Sequence, residues 1–312
     1  MDAPFHAGEL ALQQLTGSAE RLAQVGPRVI RDFMPQQHRD FFAQLPLLVA
    51  GARDAQGQPW ASLVTGAPGF VHSPDERTLR IDAWPAPGDP LEGLLHPGAP
   101  VGLLGIEAHT RRRNRMNGEV RQADARGLLV AVGQSFGNCP KYIQAREARF
   151  EPQAPAPGEV EAGTLLDDEA LRLVAGADTF FIASAHPEAG AGPDVARGVD
   201  VSHRGGRPGF VLAQPALLTV PDFVGNAFFN TLGNLRLDPR CGLLFIDYTG
   251  ADALWVTARA ELVLDGDEVH RFEGAQRLLK LHVTGFRRRR GAYPLRWGAA
   301  QPAPELERTG RW

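Results

Sequence analysis

Residues 133–143 read GQSFGNCPKYI and gather an amide, a hydroxyl, a thiol, an ammonium and a phenol around a Gly-Asn-Cys-Pro turn. A connecting turn needs its Gly, Asn and Pro, but not Gln134, Ser135, Lys141 and Tyr142 as well. Such density suits recognition of a polar ligand, with Lys141 able to stabilise negative charge on it. Covalent chemistry at Cys139 is disfavoured: no His and Asp pair lies near it, and cysteines more often pack as small apolar groups. His186 and His203 have no second ligand at metal spacing, so no metal is expected. The segment follows the apolar run Leu128-Leu129-Val130-Ala131-Val132 and leads into Tyr142-Ile143-Gln144-Ala145-Arg146-Glu147. It reads as a strand end, a turn and a helical start.

The elements that position this segment come from an internal repeat. Gly66-Ala67-Pro68-Gly69-Phe70-Val71 returns as Gly206-Arg207-Pro208-Gly209-Phe210-Val211, displaced by 140 residues. Aligning 62–106 on 202–246 without a gap gives 13 identities in 45 positions, where unrelated segments share only about three. Leu47-Leu48-Val49-Ala50 is matched to Phe180-Phe181-Ile182-Ala183, and Gly118-Glu119-Val120 to Ala260-Glu261-Leu262, with small shifts. A period this long marks a duplicated domain, not a solenoid. Each half opens with a helical pattern, Gln36–Phe42 and Asp167–Leu173, followed by short apolar runs bounded by Gly, Pro and Asp. A small closed or nearly closed β-barrel, twice over, is the natural reading. The expected organisation is a helical extension over 1–35, with one amphipathic helix at 7–25 that includes Leu10, Leu15 and Leu22. A first barrel over 36–150, a Pro-rich linker over 151–163 and a second barrel over 164–312 follow it.

Bulk properties exclude several classes. A net charge of −3 gathers neither nucleic acid nor anionic membrane. No apolar stretch has the length of a membrane span, and the polar start is no signal peptide. Two distant cysteines give no disulfide framework. A cytoplasmic protein is expected. The runs Arg111–Arg113 and Arg287–Arg290 read as solvated hairpin faces, although the first could border an anionic ligand.

The order Trp60-Ala61-Ser62, Pro68-Gly69-Phe70-Val71, Gly102-Leu103-Leu104-Gly105-Ile106, then Gln134–Ile143 resembles FMN-binding split β-barrel proteins. These belong to the pyridoxamine 5′-phosphate oxidase-related superfamily, and the likeness is to its tandem branch. Thr110–Arg115, Asp200–Gly206 and Asn230–Asn234 carry the match further. The resemblance implies a mainly β (α+β) fold: two tandem split β-barrels with flanking helices, forming an internal pseudo-dimer. It implies FMN between the halves. Ser202, His203, Arg204, Asp222, Phe223, Gly225, Asn226 and Asn230 of the second half would bind it, with Gly225-Asn226 starting a helix at the phosphate. Gln134, Ser135, Asn138, Cys139, Lys141 and Tyr142 would reach across from the first.

The implied function is an oxidoreductase passing a hydride through flavin N5, with NAD(P)H as a candidate donor and a small-molecule substrate. The alternative is a non-catalytic flavin-binding or flavin-sensing protein. No catalytic residue is assigned. Pyridoxamine phosphate oxidase itself is disfavoured, because its C-terminal arginine-histidine motif has no counterpart in Tyr293-Pro294-Leu295-Arg296-Trp297. Either a monomer or a homodimer fits. The first half has Val64 where the second has Arg204, so a single site is expected.

Overall fold

The structure is a computed structural model and describes residues 4–312. Three helices lead: α1 (Ala7–Leu15), α2 (Ala19–Val29) and α3 (Gln36–Ala43). The single helix expected over 7–25 is thus two. Gly17 takes a left-handed φ of 66° in the turn between them, a conformation glycine enters without steric cost. Only Leu22 of the three leucines is buried; Leu10 and Leu15 are exposed.

The first sheet contains β1 (Leu47–Arg53), β2 (Pro59–Thr65), β3 (Val71–His72), β4 (Thr78–Ile81), β5 (Pro100–Glu107), β6 (Arg112–Asp124) and β7 (Gly127–Gly137). After β8 (Ala148–Phe150), β9 (Val160–Gly163) and α4 (Asp168–Gly176) come β10 (Thr179–Ala185), β11 (Val199–Gly205), β12 (Leu212–Gln214) and β13 (Leu217–Asp222). The chain ends with α5 (Asn230–Leu237), β14 (Arg240–Asp247), β15 (Asp252–Val263), α6 (Asp267–His270), β16 (Arg277–Arg289) and β17 (Leu295–Trp297). Strands outweigh helices, as expected.

The strand orders are β2-β1-β5-β6-β7-β4-β3 and β11-β10-β14-β15-β16-β13-β12. These are one topology written twice, and neither path closes by hydrogen bonds. β9, the end of the Pro-rich stretch, adds to β16, and β8 pairs with β17. Where the chain was expected to turn helical, after Pro140, it makes a turn at Lys141 and Tyr142, with Tyr142 at a left-handed φ of 64°, and Ala145 then bridges to Gln301.

Strand register corrects two of the matched segments. Val49 lies opposite Leu104, and Phe181 opposite Leu244. The counterpart of Val49 is therefore Phe181, not Ile182. Arg115 opposes Leu104 and Trp255 opposes Leu244, so the displacement of 140 continues through β6 and β15. Glu119 therefore corresponds to Arg259, not Glu261.

Alternation explains why the early strands of each half read as continuous apolar runs. Side chains point to opposite faces in turn. Leu48 and Ala50 enter the first half's core, while Leu47 and Val49 join Phe181, Ala183 and Val201 between the halves. Phe180 and Ile182 likewise enter the second core. Both faces are dry, so no polar residue alternates in. The halves meet closely enough to require glycine. A Cβ on Gly102 would lie 2.7 Å from the Val199 carbonyl oxygen, and one on Gly242 would lie 2.2 Å from that of Pro59. The two contacts are the same contact related by the displacement.

Gly242→Ala should therefore force backbone apart at the junction. We expect a loss of about 1–3 kcal/mol, the usual cost of overpacking, measured by urea denaturation. A stability within about 0.5 kcal/mol of the parent, the range of ordinary surface substitutions, would refute the close junction.

Candidate functional site

A cleft of about 280 Å³ opens where the first half's β6 and its post-β7 turn meet β11, β13, α5 and the start of β16. An adjoining chamber of about 70 Å³ leads from it. Strand periodicity supplies its cations. Arg113 and Arg115 share one face of β6 and line the cleft. Arg112, the residue before Arg113, alternates to the other face: it is exposed and lies over the Phe41 ring at 5.0 Å.

Arg115, 4% exposed, pairs with Asp200 at 2.7 Å and donates to Ser202 Oγ. Its Nη1 also donates to Asn230 Oδ1 at 2.9 Å. Arg204, at the end of β11, pairs with Asp222, and Arg277 Nε donates to the other Asp222 oxygen at 3.0 Å. Register fixes that contact, since Asp222 of β13 stands opposite Arg277 of β16. Arg113 has no carboxylate partner among the described residues. Its Nε donates to the Cys139 carbonyl at 2.8 Å, and its Nη1 reaches the His203 carbonyl at 3.4 Å. Burial lowers the Arg113 pKa from the ordinary arginine value, with the Arg115 and Arg204 charges adding. The group stays cationic.

Four guanidiniums thus stand against the two carboxylates in contact with them, a net excess of two positive charges, with Arg113 touching neither carboxylate. Buried charge of one sign calls for a counter-ion. Three buried donors on cleft residues, Arg115 Nε, Arg204 Nε and Asn138 Nδ2, also lack acceptors among the described residues. Tyr142, Ala227 and Phe229, all at the cleft or its chamber, have φ 64°. Non-glycine residues in that region are uncommon and tend to gather at binding sites.

Twelve of the fourteen residues expected at the site come together here. Ser202, His203, Arg204, Asp222, Phe223, Gly225, Asn226, Asn230, Asn138 and Cys139 line the cleft, and Lys141 and Tyr142 line the chamber. Tyr142 packs against Phe223 with ring centroids 5.0 Å apart. Several are engaged by the protein itself. The Ser202 hydroxyl meets Arg115, Asp200 and Thr231, and Asn230 bridges Arg115 to Glu9. His203 is held neutral, because burial and the Arg113 and Arg204 charges push its pKa well below the ordinary value. α5 begins at Asn230, so Gly225 and Asn226 belong to the loop before it and not to its first turn.

Gln134 and Ser135 lie outside the cleft. Gln134 Nε2 donates to the Pro4 carbonyl at 2.9 Å, and Ser135 Oγ meets His38 Nδ1 at 3.1 Å. They fasten the N-terminal segment and α3 to β7. The expected site residues left out Arg113 and Arg115, although the first arginine run was read as able to border an anionic ligand, and also Arg277, and Thr16 and Ser18 from the α1–α2 turn, all of which line the cleft. Spacing of two along β6 marked the first pair. Nothing in the sequence marked Thr16 or Ser18. The second arginine run alternates: Arg287 and Arg290 are exposed as expected, but Arg288 is 6% exposed and pairs with Glu161, Asp167 and Glu169.

The equivalent crevice on the other side is filled. Trp255 stands where Arg115 would, Trp60 where Asp200 would, and Val64 where Arg204 would. Ser62, the counterpart of Ser202, accepts from Trp255 Nε1 at 3.1 Å, meets Tyr293 Oη at 2.9 Å and donates to Asp89. All four side chains are buried.

No protein-family model matches the chain, and no curated protein does. Among solved structures it is similar to a pyridoxamine 5′-phosphate oxidase-like protein of Lactobacillus delbrueckii, at 17% identity and a TM-score of 0.29. That match covers 39% of this chain and 93% of the other. An FAD-binding protein of Mesorhizobium loti matches at 13% identity and a TM-score of 0.27, over 42% and 97% of the two chains. General stress protein 26 of Bacillus anthracis matches at 11% and 0.26, over 36% and 85%.

Arg113→Met should weaken binding of inorganic pyrophosphate about tenfold or more, the worth of a charge-assisted hydrogen bond. Arg112→Met, at the adjacent position on the other face of β6, should leave it within about twofold. Calorimetric titration at low salt compares them. Equal losses in the two variants would mean that the cleft is not the anion seat.

Proposed function

We infer that the protein is a flavoprotein that holds FMN in this cleft, between two barrels related as a pseudo-dimer, and that it works as an oxidoreductase. The observation that supports this most is the net excess of two positive charges around Arg113, which suits a phosphate dianion. The chain has no G-x-G-x-x-G loop for a dinucleotide pyrophosphate, which favours FMN over FAD. Arg113 and Arg204 would hold the phosphate, Arg204 having donors beyond the one it gives Asp222. Bound flavin would supply hydride transfer through N5, the protein contributing position and charge. Lys141, half-buried in the adjoining chamber, sets a cation where added electron density would be stabilised. Tyr142 and Phe223 form an apolar wall that limits water there.

Denaturing the purified protein should release FMN, identified by chromatography and mass; FAD, haem or nothing would sink the reading. Rapid bleaching of the bound flavin by NAD(P)H would mark an enzyme, and an inert flavin would mark the storage or sensing alternative. Lys141→Met should lower the flavin's reduction potential. A unit charge in a partly buried site is worth on the order of 1–3 kcal/mol, or tens of millivolts for a two-electron couple. An unchanged potential in a potentiometric titration would leave Lys141 without that role.

A further inference from the structure

The N-terminal helices touch the cleft from two sides. Thr16 and Ser18 line it, while Glu9 of α1 stands behind its wall, only 3% exposed. α1 and α5 pack tightly enough that a Cβ on Gly8 would lie 2.2 Å from the Gly233 carbonyl oxygen. Glu9 Oε2 accepts from the His6 backbone N–H at 2.8 Å, and its Oε1 accepts from Asn230 Nδ2 at 2.5 Å. Asn230 Oδ1 accepts in turn from Arg115, which holds Ser202 and Asp200. A buried carboxyl is therefore one amide away from a cleft cation.

We propose that Glu9 is a positioning residue for the anion seat: as a neutral acid it holds Asn230 and Arg115 in place, and its ionisation weakens anion binding. The proposal rests on the anion-binding reading of the cleft and adds a regulator to it. Burial pushes the Glu9 carboxyl up to about 8, with the Asp200 charge adding and the His6, Asn230 and Arg115 contacts opposing. His6 shares its helix, with Nε2 3.5 Å from Oε2, and burial lowers that imidazole to about 4. His186 lies against His6, ring centroids 5.0 Å apart, and burial lowers its pKa too. α5 contributes Asn230, β11 contributes Asp200 and β6 contributes Arg115. Asp194 and Arg197 act on His6 from the loop before β11.

The sign follows. Below pH 8 Glu9 is neutral and leaves the excess of positive charge intact. Above it, a carboxylate joins Asp200 beside Arg115, and the local charge falls by one. Anion affinity is thus full at low pH and declines as pH rises through about 8. By linkage, binding an anion near that pH must take up protons.

Inorganic sulfate is the probe, because its charge is constant over this range. Its dissociation constant is measured by calorimetry on the full chain at pH 6.5 and 9.5, with circular dichroism confirming the fold. The wild type should weaken about fivefold or more at the higher pH, as expected for one added charge several ångströms away. Glu9→Gln, which keeps one of the two accepting oxygens and cannot ionise, should change less than about twofold. An equal pH dependence in both, or none in the wild type, overturns the proposal. Should Glu9→Gln fail to fold, proton uptake by the wild type at pH 8, from titrations in two buffers, decides alone; no uptake overturns it. No sulfate binding to the wild type at pH 6.5 would instead overturn the anion seat, and this proposal with it.

Discussion

The close junction between the two halves is the constraint on which the rest depends. β1, β2 and β5 of one half lie against β10, β11 and β14 of the other, and the pair Gly102 and Gly242 lets backbone meet backbone. Once two copies of one topology pack in this way, two equivalent crevices form at the edges of the junction. Each is walled by β6 and β7 of one copy, or β15 and β16, and by the strand end and loop of the other. A duplicated chain starts with two such places. Its side chains decide what becomes of them.

They have decided oppositely. On one side Arg115, Asp200, Ser202, Thr231 and Asn230 form one connected set of charge-assisted hydrogen bonds. Removing one member would leave a buried charge without a partner, which costs several kcal/mol, so such a set is kept or lost as a unit. On the other side Trp255, Trp60 and Val64 replace Arg115, Asp200 and Arg204; Tyr293 packs with the two tryptophans, and Val64 joins the first half's core. An apolar filling of similar volume is the cheaper way to close an unused crevice. Ser62 keeps the type of Ser202, and Trp255 and Tyr293 satisfy its hydroxyl.

Much of this was legible in the sequence, and the failures have physical reasons. The repeat showed the duplicated topology because turns and close contacts tolerate few residues: Gly102 and Gly242, and Gly66 and Gly206, survive on both sides. The continuous apolar runs of β1 and β10 gave strands without register, since two dry faces leave no polar alternation to anchor a count. That is how β10 came to be aligned one residue late. Shifting the second alignment to 142 at Gly118 hid the exchange of Arg115 for Trp255, the change that distinguishes the two crevices most plainly. Gln134 and Ser135 have ligand-like chemistry, but β7 aims them at Pro4 and His38. Thr16 and Ser18 reach the cleft through helix packing, which leaves no local signature.

The central claim is that the two halves make one open, cationic seat and one plugged crevice. Titrating the flavin-free full chain with FMN, followed by the change in flavin absorbance, tests it most directly. Saturation at one FMN per chain is the result expected. Saturation at two per chain, or no saturable binding, would contradict it.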